Sequence, residues 1–281
     1  VLEGVAGFGE SDVLQFKATI TDTSGNATTG TVSDTTLTVD QTAATISTSS
    51  IASDNETVTL AKTGDTVTLT IATNENVSSP TVTFTSGGAA ATNADTVSGA
   101  SPGTSFTSAY TVDASDTDGT VAISITATDV AGNTTSGFTT ISAGSVTVDQ
   151  TAPASQKTQG VVTTGGDNQV AGYWNSGNTG VDITVPIADD SSINGGTVQL
   201  LVSTDGGGSF VPLDTPSTIS AVNTNKTISV AGGVLEGVAG FGESDVLQFK
   251  ATITDTSGNA TTGTVSDTTL TVDQTAATIS T

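Results

Sequence analysis

An all-β chain of tandem two-sheet sandwich domains is what three features of these 281 residues predict: period-two alternation, abundant β-branched residues and a long internal repeat. The alternation is the local signal, because successive side chains of a strand point to opposite faces. Val67, Leu69 and Ile71 share one face, as do Phe106, Tyr110 and Val112, and Val121, Ile123, Ile125 and Ala127. Val181, Ile183, Val185 and Ile187 form another such face, and Val198, Leu200 and Val202 a further one. Thr and Val favour strands over helices. Clusters of Gly, Asn, Asp and Ser, such as STDGGGS at 203–209, punctuate the runs as turns do. No segment carries a helical stripe. About seven short strands per ~110 residues, each with one apolar face, predict an immunoglobulin-like β-sandwich.

The repeat sets the domain organisation. Residues 1–48 recur without a change at 234–281. A weaker likeness lies inside that period: FKATITDTSGNATTGTVSDTTLTVDQTA (16–43) resembles ISITATDVAGNTTSGFTTISAGSVTVDQTA (123–152). Both run strand, D-x-x-G-N, second strand, then V-D-Q-T-A. The expected division is therefore 1–42 as the C-terminal part of a long-type domain, 43–150 as a short-type domain, 151–274 as a long-type domain, and 275–281 as the start of another short one. Such a pattern reads as a window on a longer tandem array, in which each module needs contact only with its neighbours.

Composition narrows the function. Five Lys and no Arg stand against 28 Asp plus Glu, for a formal net charge of −23. That charge disfavours nucleic acid and anionic membrane, both polyanions, and suits cations. There is no Cys, so no disulfide braces the fold, and no His or Met. No stretch approaches the ~20 apolar residues of a membrane span. Catalysis finds no footing: there is no histidine base, no thiol, no G-x-S-x-G and no phosphate-binding loop.

A strand followed by T-D-x-x-G-N, and the domain-ending V-D-Q-T-A-P at 148–153, resemble the bacterial Ig-like modules of giant surface adhesins. GYWNSGNTGVDITVPIADDSSINGGTVQL (172–200) reads in the same way. The resemblance implies tandem extracellular stalks at the cell surface, stiffened by calcium between modules.

The fold itself says where the carboxylates fall. The N-terminus of an Ig-like sandwich lies at the end bearing the BC, DE and FG loops, and the C-terminus leaves beside the AB, CD and EF loops. A linker thus sits between the EF loop of one module and the BC and FG loops of the next. At the first junction this nominates Glu10 and Asp12 from the EF loop, Asp40 from the linker, Asn74 and Glu75 from the BC loop and Asp129 from the FG loop. At the second it nominates Asp116, Asp118, linker Asp149, then Asp189, Asp190 and Asp255; the end of the chain repeats half of the first set as Glu243, Asp245 and Asp273. Carboxylates brought together repel unless a cation neutralises them. Ligands that are all oxygen suit Ca²⁺ and, without His or Cys, speak against zinc or copper. The other reading is turn chemistry alone, with the Asp of D-x-x-G-N capping a hairpin turn and Gly supplying positive φ.

Three functions fit this much: a calcium-rigidified stalk segment of a giant adhesin, a self-assembling extracellular filament or surface coat whose chains pack laterally, and a carbohydrate-binding module. The last would use Trp174, the sole tryptophan, beside Tyr173. A core or interdomain packing role suits Trp174 better.

Overall fold

The computed structural model describes residues 5, 7–93, 96–166 and 168–279. The chain forms two compact units: residues 1–54 with 64–147, and residues 55–63 with 148–281. The first unit opens with four short strands, β1 (Val13–Leu14), β2 (Thr19–Thr21), β3 (Ala27–Thr29) and β4 (Leu37–Thr38). β1 pairs antiparallel with β4, and β2 with β3. After them come β5 (Ile46–Ser53), β6 (Leu60–Ala61, in the segment that groups with the second unit), β7 (Thr66–Val77), β8 (Thr81–Ser86) and β9 (Ala89–Ala90). β10 (Gly103–Thr111), β11 (Gly119–Thr128), β12 (Thr134–Phe138) and β13 (Thr147–Val148) complete the set.

One sheet runs β10-β7-β5, and in the other β11 is flanked by β8 and β12, with β9 outside β8. The inward positions are those that the alternation marks: Val67, Leu69, Ile71, Phe106, Tyr110, Val112, Val121, Ile123, Ile125 and Ala127 are all buried. Phe84 and Tyr110 meet across the core with ring centroids 5.1 Å apart. β5 also makes a parallel bridge, Ser50 to Ala143, with the segment between β12 and β13.

The second unit contains β14 (Gln159–Thr164), β15 (Tyr173–Trp174), β16 (Gly180–Ile187), β17 (Thr197–Ser203), β18 (Val211–Thr218), β19 (Thr224–Ala231), β20 (Val246–Thr254), β21 (Ala260–Thr262) and β22 (Leu270–Val272). Its sheets run β14-β16-β19 and β15-β22-β20-β17-β18, with β21 also on β20 and β15 parallel to β22. This sheet order, with the first strand split between the two sheets and parallel to the last, is that of an immunoglobulin-like sandwich. Its core gathers Val181, Ile183, Val185, Ile187, Val198, Leu200, Val202, Leu247, Phe249 and Ile253 around Trp174. Among the described residues two helical pieces interrupt these strands: a single 3₁₀ turn at Ser191–Ile193 and α1 (Gly232–Glu236). Five residues are too few to show a stripe of apolar period, so the alternation gives no sign of α1.

The repeated sequence supplies an internal control, since residues 13–38 and 246–271 are identical but sit in different surroundings. Their local pairing agrees register for register. Val13 faces Thr38 as Val246 faces Thr271, and Ile20 faces Thr28 as Ile253 faces Thr261. Their burial does not agree. Phe16 is 47% exposed where Phe249 is 0%, Ile20 76% where Ile253 is 2%, and Leu37 54% where Leu270 is 1%. The second copy forms the unbroken nine-residue β20 because β17 pairs along it. Among the described residues the first copy has no strand in β17's place, and its strands are the short β1 to β4. Full burial of each such side chain stabilises by roughly 1.5–3 kcal/mol, so three of them approach the stability of a whole domain. In dilute solution Phe249→Ala should therefore cost about 3–5 kcal/mol in urea unfolding of the second unit. Phe16→Ala, in the same sequence context, should stay within about 0.5 kcal/mol of the parent.

Candidate functional site

Three D-x-x-G-N loops, at 22–26, 129–133 and 255–259, fold identically, and each has a physical reason. The Asp accepts from the backbone N–H four residues on: Asn26 N to Asp22 Oδ1 at 2.8 Å, Asn133 N to Asp129 Oδ1 at 2.9 Å, and Asn259 N to Asp255 Oδ1 at 2.8 Å. Its other oxygen accepts from the Asn side chain at 2.9, 3.0 and 2.9 Å. The Gly before the Asn takes φ of 91°, 101° and 88°, a left-handed conformation that glycine adopts without cost. The turn at 22–26 is exposed and holds itself by the same bonds, so turn chemistry alone accounts for the motif's local shape.

In the first unit the turn at 129–133 meets more. Asn133 Nδ2 also donates to the backbone oxygen and to Oδ1 of Asp40, at 3.2 and 3.3 Å. Asp40, Glu75 and Asp129 thereby come together, with one carboxylate oxygen from each lying within 4.8 Å of the others. Asp40 and Glu75 are half-buried and Asp129 is buried. β7 delivers Glu75 near its C-terminal end, while Asp129 follows β11 and bridges to Val77. Burial raises the Asp129 pKa, but the Asn133 side chain and the N–H groups of Asn133, Gly132 and Ala131 outweigh it, and the carboxyl lies below its ordinary value of 3.8. Three negative groups of hard oxygen in one place form a donor set suited to a calcium ion, which takes ~6–8 oxygens.

The second unit repeats the arrangement with one change. Asn259 Nδ2 donates to the Asp149 backbone oxygen at 2.9 Å, and Ser257 Oγ to Asp149 Oδ2 at 2.9 Å. Asn55 Nδ2 donates to the Ser257 carbonyl at 3.0 Å. Asp149 and Asp255 are neighbours, yet among the described residues no third carboxylate joins them. Burial first, and the Asp149 charge in addition, raise the Asp255 pKa above 3.8 in spite of its turn hydrogen bonds. Asp22 makes the same turn bonds in the open and is lowered, chiefly by Asn26.

The remaining nominated residues are placed as follows. Glu10 Oε2 accepts from Gln41 N and Thr42 Oγ1, at 2.8 and 3.1 Å, so it is tied to the segment beside Asp40. Its copy Glu243 holds Gln274 N in the same way, at 2.9 Å. Asp12 caps its own turn, accepting from Gly9 N at 2.7 Å. Asn74 Oδ1 accepts from Thr45 N at 2.7 Å and so fastens the start of β5. Asp116 is occupied by Thr92 and by the Asp113 N–H within its own unit, and Asp118 is exposed. Asp190 caps the 3₁₀ turn through Ser192 N and Oγ, and Asp189 is exposed. Asp245 is half-buried, and Asp273 lines an open groove with Tyr173 and Asn175. The residues that sequence reasoning missed are Asn133 and Asn259, which join turn to linker; the recurrence of Asn at the fifth place of the motif is the signal that could have found them.

Trp174 is fully buried, donates from Nε1 to Glu236 Oε1 at 3.1 Å and meets Phe241 edge-on at 6.5 Å. It is a core residue and offers no face to a sugar. Among the described residues no helix is long and apolar enough to cross a membrane.

No family model and no curated protein matches this chain. Solved structures similar to it include an I-band fragment of titin, at 11% identity and TM-score 0.37, covering 83% of this chain and 67% of that one. A tetra-tandem repeat from the extending region of a large adhesion protein is similar at 21% identity and TM-score 0.30, over 94% of this chain and 57% of that one. The fold itself rests on the sheet order of each unit.

The two turn aspartates should respond oppositely to pH. A carboxyl lowered on folding contributes stability above its unfolded pKa, and that contribution is lost as pH falls through the folded value. A raised one costs stability while ionised, and the cost disappears as pH falls. In chelator at pH 7, Asp129→Asn should lower the first unit's melting temperature, and Asp255→Asn should hold or raise that of the second. Thermal unfolding at pH 3 should show both differences shrinking.

Proposed function

We propose that this chain is a segment of the structural stalk of a giant repetitive bacterial cell-surface adhesin, extending outside the cell as Ig-like modules that calcium rigidifies. The observation that carries the reading is the meeting of linker Asp40 with Glu75 and Asp129. An ion there would fasten the linker to the loops of the module that follows it. Asp40, Glu75 and Asp129 would supply the charge, with backbone carbonyls and water completing the shell. The Asn133 bonds already bring the Asp40 backbone to the turn, but at a net ~0.5–1.5 kcal/mol each they would let the linker open without the ion. Extracellular sites of this kind bind at roughly 10⁻⁴–10⁻³ M, which matches an ion plentiful outside cells. Asp149, Asp255 and the Ser257 hydroxyl form a second, less charged candidate. The work of such a segment is mechanical: to extend, to hold spacing and to resist bending, by contact with neighbouring modules of the same chain.

Small-angle scattering of the chain in calcium and then in chelator tests this. The maximum dimension should fall when calcium is withdrawn, and an unchanged profile would count against ion-clamped linkers. Titration calorimetry should place a calcium site on the parent, and Glu75→Gln should weaken it about tenfold or more, equivalent to ~1.4 kcal/mol.

A further inference from the structure

Asn194–Gly195 is the one Asn–Gly pair in the sequence. In such a pair the following residue has no Cβ to crowd its nitrogen, which is then able to close on the Asn side-chain carbon. The reaction needs neither cofactor nor oxidant. The Gly195 nitrogen gives its proton to water and attacks Asn194 Cγ. The bond from Cγ to the side-chain nitrogen breaks, and that nitrogen takes a proton from solvent and leaves as ammonia. Water then opens the cyclic imide at either carbonyl, to leave aspartate or isoaspartate.

The folded second unit holds the parts of that reaction away from one another. Asn194 is exposed, with φ −71° and ψ 116°. Closure needs Asn194 Cβ and the Gly195 nitrogen eclipsed about the Cα–C bond of Asn194, and this ψ turns the nitrogen away. The Gly195 N–H is donated to the Ile219 carbonyl at 2.8 Å, and the Ile219 N–H to the Gly196 carbonyl at 2.8 Å. The Gly196 N–H is held by the Ile193 carbonyl at 3.0 Å. The backbone here has little room to shift: Gly195 takes φ of 96°, and a Cβ on Gly196 would lie 2.2 Å from the Thr254 carbonyl. Asp190 closes the same turn from its other end, accepting from Ser192 N and Oγ at 2.9 and 2.7 Å.

We propose that Asn194 is a fold-gated deamidation site, inert while the turn at 190–196 is closed and converted once it opens. Conversion marks the chain irreversibly. Isoaspartate lengthens the main chain by one carbon between Asn194 and Gly195, where the hydrogen bonds that fix the turn converge. The Ser192 carbonyl, carried on that turn, accepts from Thr256 N and Oγ1, both at 3.1 Å. A marked turn therefore withdraws support from the loop at 255–259. The inference goes beyond the stalk reading and stands without it.

The test holds the full chain at neutral pH in native buffer and in guanidinium chloride. Cleavage at lysine and tandem mass spectrometry then follow the mass gained as the Asn194 amide becomes an acid. Conversion should be at least about a hundredfold slower in the folded chain, because it follows the open population. Gly195→Ala should suppress it in denaturant. Asp190→Ala, which removes the cap, should quicken conversion in native buffer about fivefold. Asp190→Asn keeps a capping oxygen and should convert at the parent rate. Val181→Ala loosens the core and leaves the turn's own bonds in place, so it should also keep the parent rate. Equal rates in the two buffers would overturn the proposal. So would conversion in denaturant no faster at Asn194 than at the other asparagines, or a native rate that Val181→Ala raises as much as Asp190→Ala does.

Discussion

Everything in this structure depends on one constraint: an apolar strand face is stable only when a second layer closes over it. The chain states this with its own sequence. The same residues pair as hairpins in both copies, because the turn at D-x-x-G-N and the adjoining ladder are local. Only the copy that finds β17 becomes a long buried strand. Hairpins alone are marginal in water, and what completes them is tertiary.

The candidate site grows from the same turn. Asp folds the loop back on itself, and Asn then has a side-chain amide to spare for the linker carbonyl. Where the turn stands in solvent, its Asp is an ordinary well-bonded carboxylate lowered by its neighbours. Buried beside Asp149, the same group is pushed the other way. Charge is therefore concentrated at the linkers by architecture and not merely by an acidic composition. Three carboxylates gather at Asp40 and two at Asp149, so on the proposed reading the first group would draw a cation more strongly.

Much of this was legible in the residues. Period-two faces such as Val67, Leu69 and Ile71, or Val181, Ile183 and Val185, are the buried sets, because alternation is a direct record of which side of a strand meets the core. The fold's polarity likewise pointed to Asp40, Glu75 and Asp129 as neighbours. What was not legible depended on contacts distant in sequence. Asp116 turns to Thr92, and Asp190 to the 3₁₀ turn, because each found a nearer hydrogen-bond donor than any linker. The bridging role of Asn133 and Asn259 was hidden because Asn in a turn already has a sufficient local purpose. The openness of Phe16 and Ile20, by contrast, is what the reading of 1–42 as the C-terminal part of a long-type domain implies, since the first half of such a domain is what buries the same side chains 233 residues later.

Amide hydrogen exchange followed by NMR compares the two copies most directly, since unlike environments give identical sequences separate resonances. In dilute solution the amides of 246–254 should exchange only through opening of the whole second unit, with protection near its global stability, whereas those of 13–21 should exchange through local fraying of a hairpin. Equal protection of the two segments would contradict the claim that the covering sheet, and not the strand's own sequence, makes the strand.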